Sequence, residues 1–298
     1  MKSGLKGIDS LFPDPFPAYE PINLFGKYLS GKTVFTLQTA WWIVSQKGGA
    51  ILYVDLDGGG DLLIQAWKPV FDARFNCDPE QIKIYYESAV VTKEYPKGNV
   101  KNIYLELPLF RLFGIEARVQ TSKGGKATYI PEEVCKAKIL DYKDVRVLII
   151  DTWSELTKRC FVGMQSFEGR ARATSQLYGE LRNYALKRKE KNDEVYIFVL
   201  HHASVHPQTG KISIAGGSEV LHNSKFAYML EKIPAYGGKY GRFWVFRYPT
   251  IPEFGKFAYY GYCDMGMVDI SEQELEFLRE KELKKKERKE EEEEIEEQ

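Results

Sequence analysis

An α/β protein built on a mostly parallel sheet is what this sequence predicts, and three observations predict it. From Pro21 to His202, apolar runs of strand length alternate with helical patterns. A glycine-bearing loop, "FGKYLSGKT" (Phe25 to Thr33), stands between the first such run and the first helical pattern. After His206 the spacing changes to that of antiparallel strands and hairpins.

Taken in order, "PINLFG" reads as a buried strand feeding that loop. "KTVFTLQTAWWIVSQKG" follows as a helix stopped by Gly48-Gly49, with Trp41 and Trp42 on its buried side. "AILYVDLD" is a second buried strand and "DLLIQAWKPVFDARF" the helix after it. "QIKIYY", "VRVLIID" and "EVYIFVLHH" give a third, fourth and fifth strand. Between the last two, "ATSQLYGELRNYALKRKEK" has the period of a long amphipathic helix. "SKFAYMLEK", "GRFWVFRY" and "FAYYGYC" then form the antiparallel extension.

Residues 91–130 interrupt the alternation and read as a β-rich insertion, with Gly124-Gly125 as a turn between two short strands. Its lysines and arginines alternate with Tyr95, Tyr104, Phe110, Phe113 and Tyr129. Such interleaving suits single-stranded nucleic acid, because rings stack on bases while cations track phosphates. Aromatics facing a core and lysines facing water would give the same pattern. The chain thus divides into a core, 1–270, that carries the insertion, and a charged low-complexity tail, 271–298.

Composition narrows the class. The 298 residues are 44% hydrophobic and 28% charged, enough to bury a sizeable core. Cys77, Cys135, Cys160 and Cys263 are far apart with no CxxC pair, which argues against a disulfide frame or zinc knuckle. No signal-peptide core and no membrane-length apolar run is present, so a cytoplasmic setting is expected. The net charge of zero hides an asymmetry: the tail carries 13 acidic and 7 basic side chains, the body 35 basic and 29 acidic. A basic body with an acidic tail suits a nucleic-acid binder whose tail competes for the basic surface, and equally a charged end that is merely solvated.

The loop carries the chemistry. Gly26, four residues, then Gly31-Lys32-Thr33 is the phosphate-binding spacing. Small residues let the backbone N–H groups of Gly26, Lys27, Tyr28, Leu29, Ser30 and Gly31 converge on phosphates, Lys32 reaches the β and γ oxygens, and Thr33 offers a hydroxyl to Mg²⁺. Asp151, closing the strand "VRVLIID", is the carboxylate that would order the metal and its water shell, holding the ion through water. Asp55 and Asp57 in "ILYVDLDGGGD" sit at the tip of the second strand, expected beside the first, where one of them would orient the attacking water. No arginine-rich lid of the small-molecule kinase type stands out. Hydrolysis of ATP coupled to motion is the reading these residues favour.

With these motifs in view, the chain resembles the core ATPase of the RecA/RadA recombinase family, especially the archaeal RadA paralogues of the RadB type. The likeness runs from about Gly4 to Ile270 apart from the insertion. "SGLKGIDSLF", "INLFGKYLSGKT" and "LYVDLDG" resemble its lead-in segment, its phosphate-loop strand and the strand carrying its catalytic carboxylate. "FEGRARATSQLYGELRNYALK", "VYIFVLHHAS" and "IAGGSEVLHNSKFAYMLEK" are similar to its first DNA-binding loop and helix, its γ-phosphate-sensing strand end and its second DNA-binding loop. "RYPTIPEFGKFAYYGYCDMGMVDI" is similar to its C-terminal hairpin.

The resemblance implies a RecA-like phosphate-loop NTPase with ATP and Mg²⁺ as cofactors and Lys32, Asp57 and His202 as catalytic residues. It implies single-stranded DNA contacts at Arg170, Arg172 and Lys211, and partnership with a RadA-like recombinase or other paralogue subunits in recombination and repair. Two departures qualify the activity. His201-His202 stand where the family has Asn-Gln, and Asp57 is one methylene shorter than the family's glutamate. A base displaced by ~1 Å costs about a hundredfold, so slow hydrolysis is expected. The chain begins directly at the core, which sets the expectation of an accessory role without long self-filaments. His201, His202, His206 and His222 fall close together, but no cysteine or paired carboxylate accompanies them to make a metal site. The alternatives are a KaiC-like regulatory ATPase that acts through protein partners, and a structural paralogue subunit that binds ATP without useful hydrolysis.

Overall fold

The structure is a computed structural model and describes residues 1–12, 14–88, 102–105, 112–113, 116–121, 127–132, 138–155, 167–205, 212–214, 220, 222–233, 239–249, 256–281 and 283–284. In chain order its elements are α1 (Lys6–Ser10), β1 (Pro21–Gly26), α2 (Lys32–Lys47), β2 (Ala50–Asp55), α3 (Gly60–Phe75) and β3 (Lys83–Ser88). The insertion contributes β4 (Asn102–Leu105), β5 (Glu116–Thr121) and β6 (Ala127–Glu132). Then come β7 (Val145–Asp151), α4 (Phe167–Glu190), β8 (Tyr196–Val205), β9 (Ile212–Ile214), β10 (Phe226–Lys232), β11 (Tyr240–Arg247), β12 (Phe257–Cys263) and β13 (Gly266–Ile270).

The main sheet runs β13-β12-β11-β10-β1-β8-β7-β2-β3, with β9 pairing β8. Strands β10, β1, β8, β7, β2 and β3 are parallel, and β11 to β13 continue the sheet antiparallel. The burial of each strand follows from its place. β1 and β2 are buried at every position, as strands covered on both faces must be. β11 alternates between buried and half-buried residues, the mark of a strand with one wetter face. β3, at the edge, has no buried position at all.

Two apolar clusters sit on the two faces of the sheet. Phe25, Leu52, Leu148 and Val199 join Leu177 and Leu181 of α4 on one face. Leu24, Ile51, Ile149 and Leu200 join Phe35, Leu37 and Trp41 of α2 on the other, so neighbours along a strand feed opposite layers. Trp41 is fully buried and its indole N–H is satisfied by Asp72 Oδ1 at 2.8 Å, whereas Trp42 is only half-buried. Among the described residues no helix is long and apolar enough to cross a membrane.

Two sequence expectations need correction. β2 does not lie beside β1; β7 and β8 intervene, and β2 pairs with β7 instead, bringing Asp55 opposite Asp151 in register. The long helix begins at Phe167, so Arg170 and Arg172 fall within its first turns and not in a loop before it. Of the two readings of the insertion's aromatics, Phe113 follows the core-facing one: it is buried with Leu112 and set edge-on against Tyr184.

β4, β5 and β6 form their own antiparallel sheet, with Thr121 pairing Ala127 across the position expected for the turn. Gly124 and Gly125 themselves lie outside the described residues, as do Lys211, His206, the side chains of Arg170 and Arg172, and 285–298 of the tail. Residues 272–281 are helical and bury Leu275, so the start of the charged tail is docked.

Candidate nucleotide-binding site

The C-terminal ends of β1, β2, β7 and β8 open onto one cleft of about 460 Å³. It lies at the carboxyl edge of a parallel sheet, where open α/β sheets bind their ligands. In register, Gly26 sits opposite His202, and Asp55 opposite Asp151, so four strand ends meet at the same level.

The loop after β1 is held tight by absent side chains. A Cβ on Gly26 would come 2.3 Å from Ser30 Oγ and 2.6 Å from the Leu230 carbonyl. Gly31 caps α2 with φ at 89°, in the left-handed region that favours glycine. Lys27, Tyr28 and Leu29 are exposed, so the middle of the loop offers the cleft its backbone. Leu29 itself takes a φ of 59°. The N-terminus of α2, with its unsatisfied N–H groups, faces the cleft as an anion site does.

Lys32 is buried. Its ammonium donates to the carbonyls of Gly26 at 3.1 Å and Lys27 at 3.0 Å, closing the loop on itself. Burial pushes the Lys32 ammonium down to about 8, against the pull of Asp151 and Asp57. Thr33 Oγ1 donates to Asp151 Oδ2 at 2.6 Å, and the Tyr53 hydroxyl donates to the same oxygen at 2.7 Å. Burial raises the Asp151 carboxyl above the usual range, opposed by these two donors and by Lys32.

The two aspartates of "DLDGGG" have different settings. Asp55 Oδ1 accepts the N–H groups of Asp57 (3.1 Å) and Gly58 (2.7 Å), and Oδ2 accepts the Gly60 N–H (2.8 Å) and the Tyr86 hydroxyl (2.6 Å). Its capacity goes into shaping the turn, where Gly58 and Gly59 take φ of 95° and 90°. Asp57 is left half-buried on the cleft wall.

The neighbouring histidines face opposite ways, as adjacent strand residues do. His201 is fully buried and stacks on Phe25. Its Nε2 bonds Asn23 Oδ1 at 2.8 Å, and the Tyr178 hydroxyl donates to the same oxygen. Burial lowers its pKa to about 3, so it stays neutral. His202 lines the cleft, and its backbone N–H donates to Ser154 Oγ at 2.7 Å. His222 is exposed. Among the described residues no group of three or more His, Cys, Asp or Glu could hold a metal ion by itself.

No protein-family model and no curated protein matches the sequence. Among solved structures, one of the RadB recombinase superposes over 91% of this chain and 99% of its own length, with a TM-score of 0.57 and 17% identity. A KaiC-like protein from the hyperthermophilic archaeon Pyrococcus horikoshii superposes over 91% and 98%, with a TM-score of 0.58 and 16% identity. The chain has a RecA/RadA-like fold. At these identities the likeness is one of fold, and 448 solved chains match.

Of the residues expected from sequence, the RecA/RadA-like fold brings Lys32, Thr33, Asp57, Asp151 and His202 to one cleft together with the loop from Tyr28 to Gly31. Sequence reasoning missed Tyr53, which grips Asp151, and Lys232 and Tyr262, which reach the cleft from β10 and β12. A tyrosine inside an apolar strand gives no local sign of its hydroxyl's partner. The one available signal was "YVDLD", where Tyr53 shares a face with Asp55 at the strand tip.

Proposed function

We propose that the protein is a Mg²⁺-dependent ATPase of the RadA-paralogue kind, which binds single-stranded DNA and assists a RadA-like recombinase in recombination and repair. The observation that carries the ATPase reading is the convergence of a glycine-cradled loop, a buried lysine, the Thr33–Asp151 pair and Asp57 on one cleft.

The residues fit Mg²⁺. Thr33 Oγ1 and Asp151 Oδ2 are hard oxygen donors 2.6 Å apart, and Thr152 Oγ1, on the cleft wall, is buried with no hydrogen-bond partner. A magnesium ion takes one or two protein oxygens and completes its shell with phosphates and water, so no larger carboxylate cluster is required. Bound there, it would neutralise charge on the β- and γ-phosphate oxygens. Lys32 exchanges the Gly26 and Lys27 carbonyls for phosphate oxygens. Asp57 accepts a proton from the attacking water, and His202 donates from the end of β8 toward the terminal phosphate.

The depressed lysine sets a pH dependence. Free Lys32 loses its proton near pH 8, and phosphates restore it, so binding above that pH takes up a proton. The ATP association constant is expected to be flat below about pH 7 and to fall roughly tenfold per pH unit above about pH 8. Calorimetry at several pH values in two buffers of different ionisation enthalpy reads both the fall and the uptake. A pH-independent constant with no proton uptake contradicts the assignment of Lys32.

For DNA, the support is the similarity to the RadB recombinase structure and the basic excess of the body, 35 against 29 charges. ATP hydrolysis measured with and without single-stranded DNA, at low and high salt, tests it. Stimulation that weakens steeply with salt is the expected result. Hydrolysis indifferent to DNA favours a KaiC-like regulatory ATPase acting through protein partners, which the equally good superposition on the KaiC-like structure supports. Failure to bind ATP overturns the reading as a whole.

A further inference from the structure

We infer that Tyr262, seconded by Tyr260, is a positioning residue for the phosphate loop, holding the Ser30–Gly31 peptide so that the Gly31 N–H stays presented to a bound phosphate. The inference deepens the ATP-binding reading and rests on it.

The Tyr262 hydroxyl donates to the Ser30 carbonyl at 2.7 Å, and the Tyr260 hydroxyl donates to the same oxygen at 3.1 Å, closer than its other acceptor, the Glu231 carbonyl at 3.5 Å. The two residues are two apart on β12 and therefore share a face, so one strand delivers both donors. Room for them is built in. Tyr260 lies over Gly241, its cross-strand partner on β11, where a Cβ would come within 2.3 Å of the ring. Tyr262 lies against Gly31, where a Cβ would be 1.3 Å from its hydroxyl oxygen. Gly31 is thus required twice: by its φ of 89° and by the tyrosine that occupies its side-chain space.

Peptide geometry carries the rest. In a planar trans peptide the C=O and the following N–H point in opposite directions. Fixing the Ser30 oxygen toward β12 therefore fixes the Gly31 N–H away from it. One donor would leave the peptide free to rock about the bond; two donors on one oxygen, from different rings, do not. The next peptide is pinned separately, since the Gly31 carbonyl accepts the Phe35 N–H at 2.9 Å. Burial raises both phenols above their ordinary range, so they remain donors at any pH the fold meets.

The test uses the full chain with Tyr262→Phe and with Tyr260→Phe/Tyr262→Phe, which keep both rings and remove only hydroxyls. Two readouts are taken: ADP affinity by calorimetry, and the ¹⁵N–¹H resonance of Gly31 in nucleotide-free protein. ADP affinity is expected to fall about threefold to tenfold per hydroxyl removed. The Gly31 resonance is expected to shift and broaden as the peptide begins to rock. A role confined to stability would lower the melting temperature yet leave the Gly31 resonance of the folded protein as sharp as in the parent, and that result overturns the inference. So does a double variant that binds ADP as tightly as the parent. Should the double variant not fold, Tyr262→Phe alone decides by the same two readouts, because its ring lies partly exposed at the cleft edge. A parent protein that binds neither ADP nor ATP defeats the nucleotide reading, while the nucleotide-free resonance still decides whether the tyrosines hold the peptide.

Discussion

Lys32→Ala is expected to weaken ATP binding by at least about a hundredfold and to leave no measurable turnover, the loss of a desolvated charge-assisted contact to phosphate. Lys27, the loop's other cation, is exposed and does not replace it. The folded protein should tolerate the change. Lys32 is a buried ammonium whose pKa burial has lowered to about 8, so at neutral pH its charge is a cost to folding that alanine removes. A melting temperature within a few degrees of the parent, together with lost binding in a nucleotide titration, separates a site effect from unfolding. Unchanged affinity and turnover in this variant would remove the central claim.

Asp57→Asn is the second large effect. Hydrolysis should fall by roughly 10²–10⁴-fold while ATP and Mg²⁺ still bind, because an amide cannot accept the water's proton. The substitution leaves the loop in place: it is the backbone N–H of Asp57 that Asp55 holds, at 3.1 Å. Nor can Asp55 take over, since both of its oxygens are occupied by three backbone N–H groups and the Tyr86 hydroxyl. Asp57→Glu is expected to raise the rate by restoring the missing methylene. Single-turnover hydrolysis, measured beside nucleotide affinity, reads both variants. Parent-like hydrolysis by Asp57→Asn would place the base elsewhere.

The parallel core was legible because strands buried on both faces write themselves as unbroken apolar runs: "PINLFG" is β1 and "VRVLIID" is β7, residue for residue. The loop was legible because its glycines, lysine and threonine are consecutive enough to carry a spacing. What stayed hidden are relations between distant segments. That β2 lies next to β7 and not β1 is a fact of winding order, on which the sequence of β2 is silent. Tyr53 on Asp151, and Tyr262 on Ser30, join residues 98 and 232 positions apart. The different settings of Asp55 and Asp57 were also unreadable, because identical side chains two residues apart differ only in what surrounds them.

Leu112 and Phe113 give the interruption between β3 and β7 a consequence for how this chain can vary. They are buried in the same cluster as Leu181 and Tyr184 of α4, with Phe113 set against the Tyr184 ring. The segment is therefore no detachable ornament. Excising it would strip cover from α4 and leave a void of the kind that costs about 3–5 kcal/mol for a lost buried phenylalanine. A lineage that lost or shortened this segment would have to refit the exposed side of α4 at the same time. Substitutions at Leu112, Phe113, Leu181 and Tyr184 should accordingly travel together.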